Sequence, residues 1–142
     1  MYRKILVALE NTATDQELLP SITQLASLLK SDLLLLHVAD GWVARNFDQL
    51  NLAESEEMKE DCKYLEDIAV KLREEAGLTV EIRLALGNPP AEILKVADEV
   101  HCDLIALASH GHRLVGDIIY GSTIDVVRHK ARVPLLVVPP KK

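Results

Sequence analysis

The chain has 142 residues, 49% hydrophobic and 27% charged, with a formal net charge of −6 and aromatics at only 4%. That length holds one domain, residues 1–142, with a substantial core. An acidic chain poor in aromatics repels a phosphate backbone and has few rings on which bases could stack, which argues against nucleic-acid binding. No apolar run approaches the roughly 20 residues needed to span a bilayer, so no membrane association is expected.

The first strand is Lys4-Ile5-Leu6-Val7-Ala8-Leu9, nearly all apolar, as in a strand buried on both faces. No signal-peptide pattern leads into it, so a cytoplasmic location is expected. A helix follows, with Leu18, Ile22, Leu25 and Leu29 on one face and Leu19 and Ala26 beside them. Thr14 and Glu17 have the spacing of a capping box at its start. Pro20 predicts a kink or a later start. Leu33–Val38 is the second strand, with His37 near its end read as a core histidine with satisfied nitrogens.

Residues 40–56 are less regular and hold Trp42 and Phe47, the chain's one Trp and one Phe. They read as a connection packed by these rings, with a lid or a partner contact as the alternative. A second helix carries Met58, Cys62, Leu65, Ala69, Leu72 and Ala76 inward and stops at Gly77. Cys62 and Cys102 match no metal or redox spacing and are expected as small apolar core residues. Leu78–Leu86 is the third strand. Asn88 then caps a helix with Pro89 in its first turn and Ile93, Ala97 and Val100 facing inward. Asp103–Ala108 is the fourth strand, a helix beginning near Ser122 carries Ile124, Val127 and Ala131, and Val133–Val138 is the fifth strand.

Strands alternating with helices force parallel pairing, and right-handed crossovers leave few topologies. The expected fold is α/β: one doubly wound domain with a five-stranded parallel sheet, order 3-2-1-4-5, and helices on both faces. Such sheets bind ligands beyond the carboxyl ends of their strands, where strand order reverses. Here that point lies between the first and fourth strands, which selects the loops Glu10–Thr14 and Ser109–Ser122.

The second of these loops reads Ala108-Ser109-His110-Gly111, then nine residues, then Gly121-Ser122-Thr123. Glycines allow close approach to a phosphate, free amides at a helix start donate to it, and hydroxyls add donors. Turn glycines with an N-cap serine would read the same way. His110-Gly111-His112 lacks a third ligand at a metal spacing, and no Walker lysine, nucleophile elbow or Cys–His signature is present.

The chain resembles the universal stress protein family over nearly its whole length. The resemblance rests on Lys4–Leu9 followed by Glu10-Asn11-Thr12, Leu35-Leu36-His37-Val38, Gly87-Asn88-Pro89 and Cys102-Asp103-Leu104-Ile105. It rests equally on Ser109-His110-Gly111, Gly121-Ser122 and Val133–Val138. The nucleotide-binding branch carries G-x-x-G-x9-G-(S/T). Gly111, the nine-residue gap and Gly121-Ser122 match it, while Ala108 replaces its first glycine and Glu10 its usual aspartate.

The resemblance implies a bound ATP or AMP, with or without Mg²⁺. Its phosphates would lie against His110, Gly111, Gly121, Ser122 and Thr123, its adenine near the backbone at Val38, and its ribose near Glu10 and Ala108. Ala8, Leu9 and Leu107 would adjoin them. It also implies a homodimer through the Val133–Val138 edge and a protein partner of unknown identity. Three functions stay open: a dimeric nucleotide-sensing module of the stress response, an interaction module that has lost its ligand, and a slow ATP hydrolase or adenylyl-transfer enzyme. For the last, Arg113 is the nearby candidate, and with no identifiable base or nucleophile, binding is expected ahead of catalysis.

Overall fold

A computed structural model of the chain describes residues 2–40, 47–109 and 116–139. The elements in order are β1 (Lys4–Ala8), α1 (Asp15–Leu29), β2 (Asp32–Asp40), α2 (Phe47–Ala76) and β3 (Val80–Gly87). They continue with α3 (Pro89–Val100), β4 (Leu104–Ala108), α4 (Gly116–Lys130) and β5 (Leu135–Val138). The strands form one sheet in the order β3-β2-β1-β4-β5, every pair parallel, as the alternation of strands and helices requires. Both the fold class and the strand order match the expectation from sequence.

Strand residues alternate faces, and the two cores divide along that period of two. Ile5, Val7, Leu33, Leu35, Leu104 and Ala106 point to one side, where α1 contributes Leu18, Ile22 and Ala26, and α2 contributes Leu65, Ala69 and Leu72. Leu6, Leu34, Leu36, Ile105 and Leu107 point to the other, under Ile93, Val96 and Ala97 of α3 and Val127 of α4. A fully buried aliphatic side chain contributes about 1.5–3 kcal/mol, so helix docking on both faces dominates the stabilisation of the sheet.

Helix ends follow local chemistry in three places and depart from it in four. Asn88 caps α3, its side chain accepting from Ala91 N at 3.2 Å, with Pro89 in the first turn. Gly77 ends α2 at φ +66, and Gly87 turns β3 into α3 at φ +144. A Cβ on Gly87 would stand 3.1 Å from Glu92 Cγ.

The capping box does not form. Thr14 has helical φ and ψ and makes no side-chain cap, its Oγ1 donating instead to Glu10 Oε2 at 3.0 Å. Pro20 lies within α1 on its exposed side, where only one helical amide is forgone, and the helix does not start later. Helix α2 begins at Phe47 rather than near Met58, because residues 47–57 contain no Gly or Pro and are rich in Leu, Ala, Gln and Glu. The side chains of that stretch, and Trp42, lie outside the described residues. Helix α4 begins at Gly116 rather than near Ser122, with no proline to stop it and Gly121 tolerated inside at about 1 kcal/mol.

Cys102 is buried as expected, whereas Cys62 is only partly so. Leu65, Ala69 and Leu72 of α2 face inward as expected, but one turn earlier the buried position is Asp61 rather than Cys62. Ile22→Ala removes a fully buried side chain and should cost about 2–5 kcal/mol, while Val70→Ala, on the exposed side of α2, should stay within about 0.5 kcal/mol. Urea unfolding of the two variants beside the wild type measures both.

Candidate functional site

Helices α1 and α4 leave β1 and β4 toward opposite faces, so a gap opens where these neighbouring strands end. A cleft of about 340 Å³ occupies it, lined by Ala8, Leu9 and Glu10 after β1, Leu36, His37 and Val38 of β2, Pro89 and Ile93 of α3, Leu107 of β4 and Thr123 of α4. Such a volume lies at the small end of small-molecule sites. Six of the residues picked from sequence thus converge on one cleft: Ala8, Leu9, Glu10, Val38, Leu107 and Thr123.

The others stand differently. Ala108 is buried in the cluster beneath α1 and α2, so its methyl group belongs to the opposite face of the sheet. His110 and Gly111 lie outside the described residues. Gly121 and Ser122 sit in the interior of α4, with their side chains outside the described residues. The start of α4 at Gly116 changes the anion chemistry assigned to this segment. Unpaired helix-start amides belong to the turn at Gly116, while the amides of Gly121–Thr123 fall within the ladder of the helix.

The wall at Val38 has a feature of its own. β1 pairs with β2 only as far as Ala8 opposite Leu36, and Leu9 N donates to Leu36 O at 2.8 Å. β2 and β3 run on together to Asp40 and Gly87. Main-chain groups two residues apart point the same way, so those of Val38 face the side that β1 has left.

Behind the cleft lies a set of polar groups that sequence reading missed. Asp15 is 1% exposed and Asp61 6%. Asp15 accepts from Glu10 N at 3.0 Å, from Asn11 N at 2.8 Å and from the Tyr64 hydroxyl at 2.6 Å. Asp61 accepts from Asn11 Nδ2 at 3.0 Å and faces His37 Nε2 at 3.4 Å. His37 Nδ1 lies 2.9 Å from Leu9 O, a carbonyl that can only accept, so this nitrogen carries a proton and donates. Both His37 nitrogens therefore have partners, as the sequence reading expected. Buried carboxylates persist only when partnered in this way. Their one sequence trace is position: each falls on the inward face of its helix.

The cleft can seat an apolar or aromatic ring against Leu36, Val38, Ile93 and Leu107, offer the Glu10 carboxylate as an acceptor for hydroxyls, and add the Thr123 hydroxyl. Among the described residues no group of three His, Cys, Asp or Glu side chains is arranged to hold a metal.

Burial, then the hydrogen bond to Asp15, then that carboxylate's charge push the Tyr64 phenol well above its usual value near 10. The native state then keeps a proton that the unfolded chain releases, so this contribution is whole below about pH 10 and is lost as pH rises beyond it. Unfolding free energy measured from pH 9 upward should decline more steeply for the wild type than for Tyr64→Phe.

The universal stress protein family model matches residues 1–139. Universal stress protein MJ0577 of Methanocaldococcus jannaschii is 28% identical, covering 99% of this chain and 97% of its own. Its solved structure superposes with a TM-score of 0.85 at 29% identity, over 100% of this chain and 99% of that one. Universal stress protein YxiE of Bacillus subtilis is 28% identical over 97% of this chain and 99% of its own. A universal stress protein of Archaeoglobus fulgidus, solved in complex with dAMP, shares the fold with a TM-score of 0.71 at 24% identity, covering 96% of this chain and 98% of that one.

Proposed function

The chain belongs to the universal stress protein family, and from that premise we propose that it is an adenine-nucleotide-binding regulatory module of the stress response. The observation that carries this reading is the cleft at the strand-order reversal, where Glu10, Val38 and Thr123 meet around an apolar floor. A purine would lie on that floor, the ribose hydroxyls would donate to Glu10, and the phosphates would extend toward Thr123 and the start of α4. The dAMP complex of the Archaeoglobus protein supports a nucleotide in this fold. The ligand is ATP or AMP, with or without Mg²⁺, and the role is binding rather than turnover, a reading supported by the lack of an identifiable nucleophile with its base among the described lining residues.

Titration calorimetry with AMP and ATP should give saturable binding below millimolar, and Glu10→Gln should weaken it roughly tenfold by removing charge from the hydroxyl contacts. Absence of binding by the wild type overturns the reading. A ligand-free interaction module is the second reading, favoured by the placement of Gly121 inside α4, where its amide belongs to the helix ladder. It predicts a melting temperature indifferent to saturating nucleotide, whereas a ligand specific for the native state must raise it.

The same proposal includes a cytoplasmic homodimer through β5, which offers a partner to read the nucleotide state. Among the described residues β5 is an edge strand that pairs with β4, and Val137 on it is 39% exposed. A charged residue on such an edge opposes strand-to-strand pairing. Sedimentation should give twice the 15.8 kDa of one chain, and Val137→Lys should return the monomer.

A further inference from the structure

Apolar packing alone would dock α2, because Leu65, Ala69 and Leu72 already seat it on the sheet. The two polar residues on its inner side near the cleft do something else. Asp61 holds the Asn11 side chain and faces His37, which holds Leu9 O. Tyr64, three residues on and therefore on the same face, holds Asp15, which in turn takes the amides of Glu10 and Asn11.

Every residue from Leu9 to Asn11 is thus tied, directly or through one side chain, to α2. Asn11 sits at φ +60, a left-handed conformation that asparagine adopts more readily than most residues. Leu9 and Glu10 line the cleft. Beyond the tie, α2 continues toward its amino end from Asp61 back to Phe47, roughly 20 Å of helix at 1.5 Å per residue.

We infer that Asp61 and Tyr64 are positioning residues that set the Leu9–Asn11 segment for its ligand, so that the attitude of α2 and occupancy of the cleft by an adenine nucleotide are coupled. The coupling rests on the nucleotide reading, while the positioning rests on the geometry alone. Reciprocity follows. A ligand that needs Glu10 in place tightens the hold on α2, and a contact that moves the amino-terminal end of α2 changes ligand affinity.

The test uses Asp61→Leu, with Asp61→Asn as the conservative variant that keeps one acceptor and the shape. In the ligand-free protein, amide exchange at Glu10 and Asn11 should rise about tenfold in D61L and less in D61N, with β4 amides unchanged. AMP affinity should fall about tenfold in D61L and less in D61N. AMP should slow exchange in residues 58–66 of the wild type and leave them unaltered in D61L. If D61L does not fold, D61N with Tyr64→Phe carries the same three readings. Unchanged exchange at Glu10 and Asn11 overturns the positioning role. AMP binding that is equal in wild type and variants overturns the coupling. A wild type that binds neither AMP nor ATP defeats the nucleotide reading instead, and the exchange rates of the free protein still decide the positioning role.

Discussion

Two neighbouring parallel strands whose following helices depart to opposite faces cannot close the space at their carboxyl ends. β1 sends the chain to α1 on one side of the sheet, and β4 sends it to α4 on the other. The rest of the molecule depends on that divergence. It leaves the cleft open, fixes which loops reach it, and brings Glu10 and Thr123 into one lining. The walls need no special rigidity of their own, because β1 and β4 beneath them are buried and the helices are seated on the sheet by buried apolar side chains.

The cleft's upper rim is a different physical problem. The segment after β1 has few residues in which to turn and must place backbone amides where no strand or helix receives them. A buried carboxylate at Asp15 takes two of these amides, at the cost of desolvating a charge. Tyr64 then completes the shell of that carboxylate, and Asp61 with His37 steadies the neighbouring residues. The polar network is therefore a consequence of turning tightly above an apolar core.

β1, β2 and β4 were legible because strands with buried faces leave nearly unbroken apolar runs, while β3 showed as a more alternating run and β5 as a short apolar run before two prolines. Asn88 with Pro89 marked the start of α3 correctly, since capping is a local property. Thr14 with Glu17 had the same local credentials and failed. A tertiary donor set at Asp15 took over the loop, and Thr14 turned to Glu10 instead. Gly121-Ser122 resembled a helix start but lies within α4, because one glycine does not stop a helix that long-range packing supports. The first turns of α2 were illegible for the opposite reason, having helix formers but no apolar period. Six cleft residues were found from topology and resemblance. Asp15, Asp61 and Tyr64 were not, because a buried acid looks like a surface acid until its partners are in place.

The unequal lengths of β1 and β2 carry one more consequence. Past Leu36, the edge of β2 toward β1 presents peptide groups rather than a paired strand. In the proposed function a base resting there is read by main-chain donors and acceptors, whose positions do not depend on which side chain residue 38 carries. Selectivity for the base is then inherited from backbone geometry, and Val38 can drift among aliphatic residues of similar volume without erasing it. Sequence divergence at this wall would be a poor guide to divergence in ligand.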